Sequence, residues 1–107
     1  MNICFMVHFA IIPYNGGIQR VTTLLSRELS RRGHNICYLC YADYAKNDIH
    51  NPAIEFPQFY IDIADDNVKE NLFQFINKQG INCVISQEQE ANSVRLLDMM
   101  PETVKIV

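Results

Sequence analysis

Residues 11–34 read IIPYNGGIQRVTTLLSRELSRRGH, and the way this stretch is punctuated decides the fold. Pro13 halts the apolar run before it, and Gly16-Gly17 supply backbone without a Cβ, free to take positive φ or to pass close to another group. A helix follows in which Ile18, Val21, Leu25 and Leu29 form one narrow apolar stripe, with Arg20, Thr23, Arg27 and Arg31 on the opposite side. Gly33 ends it where a left-handed C′ residue belongs. Arg31, Arg32 and His34 gather at its negative end, where a cation gains about 0.3–1 kcal/mol. The stretch therefore predicts a glycine turn and an amphipathic helix whose free N–H groups point back at the turn.

The flanking segments supply the strand before this helix and the strands after it. Ile3-Cys4-Phe5-Met6-Val7 is apolar without alternation, as in a strand covered on both faces of a parallel sheet, and is expected at the centre. Residues 35–41 (NICYLCY) repeat the pattern with β-branched and aromatic residues. The polar interval from Asp43 to Pro57 reads as a loop. Residues 58–62 (QFYID) form a shorter strand, expected near the sheet edge. Asp65 or Asp66 is placed to cap a helix carrying Val68, Leu72, Phe75 and Ile76 on one face, closed by Gly80. Residues 82–86 (NCVIS) are another buried strand. From Glu88 to Met100, Ala91, Val94 and Leu97, with Leu96 beside them, recur at roughly helical spacing until Pro101, and residues 103–107 (TVKIV) form a last strand. Five strands alternating with helices imply right-handed crossovers and a doubly wound, Rossmann-like α/β/α sandwich, most simply in strand order 3-2-1-4-5.

The chain has 107 residues, 49% hydrophobic and 20% charged, with a net charge of -3. These values fit one globular domain and give no reason to expect nucleic acid as a partner, since phosphate binding needs a basic surface. The longest apolar run, Ile3 to Ile12, is interrupted by His8 and is too short to span a bilayer. It has neither a basic n-region nor a small-residue cleavage site, so a cytoplasmic protein is expected. Stopping just after a strand, residues 1–107 are expected to be a single truncated domain, a fragment of a longer fold. Cys4, Cys37, Cys40 and Cys83 all lie in apolar, strand-like runs, where free cysteine behaves as a small hydrophobe. Cys37 and Cys40 spell C-x-x-C, which invites a redox or zinc reading, but in a strand i and i+3 face opposite ways, and buried packing is the expectation. No metal site is expected: His34 and His50 have no partner at ligand spacing.

In an open parallel sheet, ligands sit beyond the carboxyl ends of the strands beside the point where strand order reverses. Tyr14, Asn15, Gly16 and Gly17 should line that crevice, and a helix N-terminus there favours an anion such as phosphate. The three-glycine dinucleotide fingerprint and the Gly-Lys-Ser/Thr of a P-loop are both absent. Arg20 sits in the first turns of the helix, where the dipole disfavours a cation; it is either an anion ligand or a solvated helix residue. His8, at the end of the first strand, is either a crevice acid, base or donor or a satisfied histidine near the core. Glu88 and Glu90 follow the fourth strand, where paired carboxylates suit acid/base work, although acidic residues in a first helical turn are also favoured by the dipole alone.

Pro13-Tyr14-Asn15-Gly16-Gly17-Ile18-Gln19-Arg20-Val21, then Leu24-Leu25-Ser26-Arg27-Glu28-Leu29 and Arg32-Gly33-His34, resembles the amino-terminal signature of glycosyltransferase family 4. The likeness is close over residues 2 to about 41 and loose beyond. It implies the GT-B architecture of two Rossmann-like domains across a cleft, and retaining transfer of a sugar from a nucleotide-sugar donor without an essential metal or other cofactor. This chain would be the amino-terminal, acceptor-side domain, facing a glycan or lipid-linked acceptor. Gly16 and Gly17, with Asn15 and Arg20, would approach the donor phosphates, while the carboxyl-terminal donor-binding domain with its paired glutamates is not in this sequence. The resemblance implies an enzyme as a whole, an inactive fragment alone, and peripheral contact with the inner face of the membrane. The competing class is a non-enzymatic flavodoxin-like binding or regulatory module. Against it, Phe9, Ala10 and Ile11 stand where a receiver domain needs acidic residues, and residues 13–17 are no hydroxyl-rich flavin phosphate loop.

Overall fold

β1 (Asn2–Val7) is flanked on both sides by paired strands, and its residues from Ile3 to Val7 are all buried. This is what its unbroken apolar run requires. The computed structural model describes residues 1–13, 16–87 and 90–107. Along the chain, β1 is followed by α1 (Gly17–Arg31), β2 (Asn35–Cys40), a 3-10 helix (Asp43–His50), β3 (Gln58–Tyr60), α2 (Val68–Gln79), β4 (Cys83–Ser86), α3 (Ala91–Asp98) and β5 (Lys105–Ile106). The sheet is five-stranded and entirely parallel, in the order β3-β2-β1-β4-β5. The fold is therefore the doubly wound α/β arrangement that the alternating apolar runs predict, with the short β3 at one edge.

Each face of the sheet has its own core. Cys4, Met6, Cys37, Leu39 and Val84 pack against Val68, Leu72 and Ile76 of α2 and Leu96 of α3. On the other face Ile3, Phe5, Val7, Ile36, Tyr38 and Cys40 meet Ala45 of the 3-10 helix, with Leu29 of α1 against them. Three layers result, α1 and the 3-10 helix on one side, α2 and α3 on the other. Two glycines end helices as expected. Gly33 (φ 94°) allows His34 N–H to reach Leu29 O at 3.1 Å and its own N–H to reach Ser30 O at 3.0 Å, a Schellman closure. Gly80 (φ 61°) does the same for α2, with Ile81 N–H on Ile76 O at 3.0 Å.

The packing of α1 reverses the expectation drawn from its apolar stripe. Of that stripe Ile18 (47% exposed), Val21 (59%) and Leu25 (38%) face outward and Leu29 packs on the core, whereas Gln19, Thr22, Thr23 and Ser26 are buried against the sheet. Small polar side chains let a helix approach closely, and most of these carry a specific bond. Ser26 Oγ accepts the Tyr38 hydroxyl at 2.7 Å, Gln19 Oε1 accepts the Ile12 N–H at 2.8 Å, and the Thr22 hydroxyl meets Gln87 Oε1. Buried hydrogen bonds thus select the inward face, each worth about 0.5–1.5 kcal/mol net and more when one partner is removed.

Three smaller expectations are also corrected. Residues 43–50 form a 3-10 helix rather than loop, because Ala45 has a buried slot beneath them. Neither Asp65 nor Asp66 caps α2: Asn67 holds that position, and Asp65 folds the turn before it by accepting the Asn67 N–H at 2.7 Å. α3 buries Ser93 and Leu96 and leaves Val94 46% exposed, since Ser93 Oγ turns inward to receive the Glu90 N–H at 2.9 Å.

Candidate functional site

The carboxyl ends of β1, β2 and β3 open into a cavity of about 530 Å3. Its walls come from residues that follow each strand: His8 after β1, Tyr41 and Asp43 after β2, Tyr60 and Asp62 at the end of β3, with Tyr44 from the 3-10 helix and Asn92 from α3. The strands position them. Ala42 N–H donates to His8 O at 2.8 Å and Ile61 N–H to Cys40 O at 3.0 Å, so parallel pairing runs one step past the strand ends and fixes the rim.

Aromatic rings dominate this cavity. His8 stacks on Tyr41 with centroids 5.4 Å apart at 25°, and Tyr44 meets His8 edge-on at 5.9 Å. Tyr44 is 62% exposed, presenting much of its ring to solvent. Lys46 Nζ lies 5.8 Å from the Tyr60 ring centroid and 3.8 Å from Asp43 Oδ1. Burial, then the neighbouring Asp62 and Asp43 carboxylates, push the Tyr60 hydroxyl above its ordinary value of 10.0. Tyr60 therefore stays protonated, able to donate, between acceptor-only carboxylates. Aromatic faces beside carboxylates and an amide suit a ligand that presents both C–H faces and hydroxyls.

Of the residues expected to form the site, His8 lies in this cavity wall. Tyr14, Asn15 and Glu88 lie outside the described residues. Gly16 and Gly17 are exposed at the start of α1, and a Cβ built on either has no heavy atom within 4 Å. Gly16 has φ 128°, a conformation that L side chains rarely adopt. The intrahelical ladder begins with Arg20 N–H on Gly16 O at 2.9 Å, so the N–H groups of residues 17–19 precede it at the positive end of the helix dipole. Arg20 is exposed, and with Pro13, Thr23 and Arg27 it borders a shallow depression on the flank of α1.

The loop leading to the glycines is held by residues that sequence reading did not single out. Gln58 clamps Ile11 through both of its amide atoms, Nε2 to Ile11 O at 2.8 Å and Ile11 N–H to Oε1 at 3.1 Å. Gln19 reaches back to Ile12. Buried Ala10 and Ile11 anchor the same segment. A glutamine at the first position of an edge strand was the available signal, since a lone polar residue facing inward there needs a partner.

Among the described residues no group of three or more His, Cys, Asp or Glu side chains is placed to hold a metal ion. No helix among them is long and apolar enough to cross a membrane. Compared with protein-family models, with curated proteins and with solved structures, the chain matches none of them.

Proposed function

We propose that this chain is the acceptor-side domain of a retaining glycosyltransferase, holding a glycan or lipid-linked acceptor while a second domain carries the nucleotide-sugar. The observation that carries the reading is the shared end of the sheet: an uncovered glycine turn opening α1 and an aromatic, carboxylate-bearing cavity both follow β1. The resemblance of residues 13–34 to glycosyltransferase family 4 supports the same division of labour. The transition state of sugar transfer carries an oxocarbenium-like ring and a departing diphosphate, which preorganised dipoles stabilise best. The N–H groups of residues 17–19 provide such dipoles on one side. The clamp on the leaving group has to come from the other wall of the cleft, so residues 1–107 alone are expected not to turn over. Peripheral attachment at the inner membrane face belongs to the same proposal.

Amide chemical-shift titration of the chain tests it. Short soluble glycans are expected to move resonances of His8, Tyr44, Tyr60 and Asn92, and a nucleotide-sugar those of Gly16 and Gly17. Sugar transfer by residues 1–107 alone, or stoichiometric flavin binding, would overturn it; the latter would favour a flavodoxin-like module.

A further inference from the structure

The C-x-x-C spacing points to the wrong partner for Cys37. Cys40 lies on the opposite face of β2, in the other core, and Cys83 is on that same far face. Cys4 is the residue that Cys37 meets. The register of β1 on β2 sets Cys4 directly opposite Cys37, and both side chains enter the core beneath α2 and α3. Neighbouring strands lie about 4.7–4.9 Å apart, inside the roughly 4.4–6.8 Å that separates the Cα atoms of a disulfide. Among the four free cysteines this pair is the one set side by side on a common face.

Cys37 lines an open cavity of about 260 Å3 at the amino ends of the strands, walled by Asn2, Asn35, Pro57, Gln79 and Ile81. Cys37 retains 7% of its surface and Cys4 1%. Cys37 is therefore the residue of the pair that reaches the cavity, and Cys4 stands behind it.

We propose that Cys37 and Cys4 form a peroxide-reactive dithiol, Cys37 being the sulfur attacked first from the amino-end cavity and Cys4 the sulfur that closes the disulfide. The Cys37 thiolate displaces hydroxide from hydrogen peroxide, forming the S–O bond of a sulfenic acid as the O–O bond breaks. Cys4 then attacks that sulfur, the S–S bond forms, and the hydroxyl leaves with the Cys4 proton as water. Two thiols and one peroxide thus give one disulfide and two waters, the thiols oxidised by two electrons and the peroxide reduced by two. Electrostatics favour this order. The adjoining Cys4 thiol holds the Cys37 thiol below its usual range, while Cys37 and burial hold Cys4 well above its own. Burial pushes Cys40 up to about 12, leaving almost no thiolate there at neutral pH.

The test uses the chain as it is. Native residues 1–107 are treated with dilute hydrogen peroxide, blocked with iodoacetamide and mapped by mass spectrometry. A Cys4–Cys37 bridge is expected before any modification of Cys40 or Cys83. Without peroxide, iodoacetamide should reach Cys37 about tenfold faster than Cys40. In Cys4→Ser, dimedone should trap the Cys37 sulfenic acid; in Cys40→Ser the bridge should form as in the parent, with circular dichroism confirming that both variants fold. Oxidation that begins at Cys40 or Cys83, or equal alkylation of all four thiols in the native chain, overturns the proposal.

Discussion

Tyr38 donates its hydroxyl to Ser26 Oγ at 2.7 Å inside the core between β2 and α1. That bond explains why α1 rests on the sheet by its polar side. Ser26→Ala leaves a buried phenol without its acceptor and should cost about 1–3 kcal/mol. Ile18→Ala and Val21→Ala, which the apolar stripe would rank as core deletions, should stay within about 0.5 kcal/mol of the parent. Urea denaturation of the three variants checks the ranking.

The same phenol predicts a high-pH transition. Burial is the main cause that lifts Tyr38 from 10.0 to about 12, partly opposed by the bond to Ser26. A hydroxyl whose folded value is raised stabilises the fold fully below pH 10, and that contribution is lost as pH climbs from 10 toward about 12. Thermal midpoints measured from pH 8 upward should therefore fall through that window, and Tyr38→Phe should flatten the fall.

At low pH the relevant groups are on the surface. The Arg27 guanidinium, bonded to Glu55, and Arg31 with Arg32 around Glu28, hold both carboxyls below 4.5. Lowered values stabilise above the ordinary carboxylate range and are lost as pH drops through the folded ones. For Glu55→Gln the expected loss at pH 7 is under about 1 kcal/mol. It should vanish in about 1 M salt, where the screening length is ~3 Å. Melting at low and high salt reads this directly.

Gly16 and Gly17 should separate stability from function. With φ 128° at Gly16, alanine there is strained by about 1–3 kcal/mol. Gly17 is in the helix with open space at its Cβ position, so Gly17→Ala should remain within about 0.5 kcal/mol of the parent by calorimetry. On the proposed reading, the added methyl would displace a donor phosphate in a sugar-transferring protein that contains this domain. Its kcat/KM should drop roughly 10–100-fold.

Tyr44 supplies the corresponding test at the aromatic cavity. Its ring is 62% exposed, so Tyr44→Ala should change stability by less than about 0.5 kcal/mol. Glycan affinity should fall about tenfold, as should that of Asp62→Asn, both read by chemical-shift titration; each change removes about 1–1.5 kcal/mol of contact.

The strand order and the helix ends were legible because each depends on local composition. Unbroken apolar runs demand cover on two faces, and Gly33 and Gly80 take the positive φ that closes a helix. The inward face of α1 was not legible: Ile18 and Val21 outrank Thr22 and Ser26 on any scale of hydrophobicity, and only the presence of Tyr38 and Gln87 across the gap reverses the order. β5 covers Lys105–Ile106 where a longer strand was expected, since it pairs on one side alone. His8 could be placed at the rim from β1, but Tyr41 and Tyr44, Tyr60, and Asn92 come from three separate segments that only topology brings together. Likewise Cys4 lies 33 residues before Cys37 in sequence and opposite it in register.

The Gln58 clamp ties the order of the first loop to the most peripheral part of the molecule. β3 is three residues long and pairs with a single neighbour, so it belongs to the portion of a sheet that frays most readily. When it lifts, both bonds to Ile11 break together, and residues 10–12 are left to the Gln19 bond and to their own burial. Protection of the Ile11 amide against deuterium exchange should therefore rise and fall with that of β3 and not with that of β1, which makes the rim of the sheet a control on how sharply the mouth is defined.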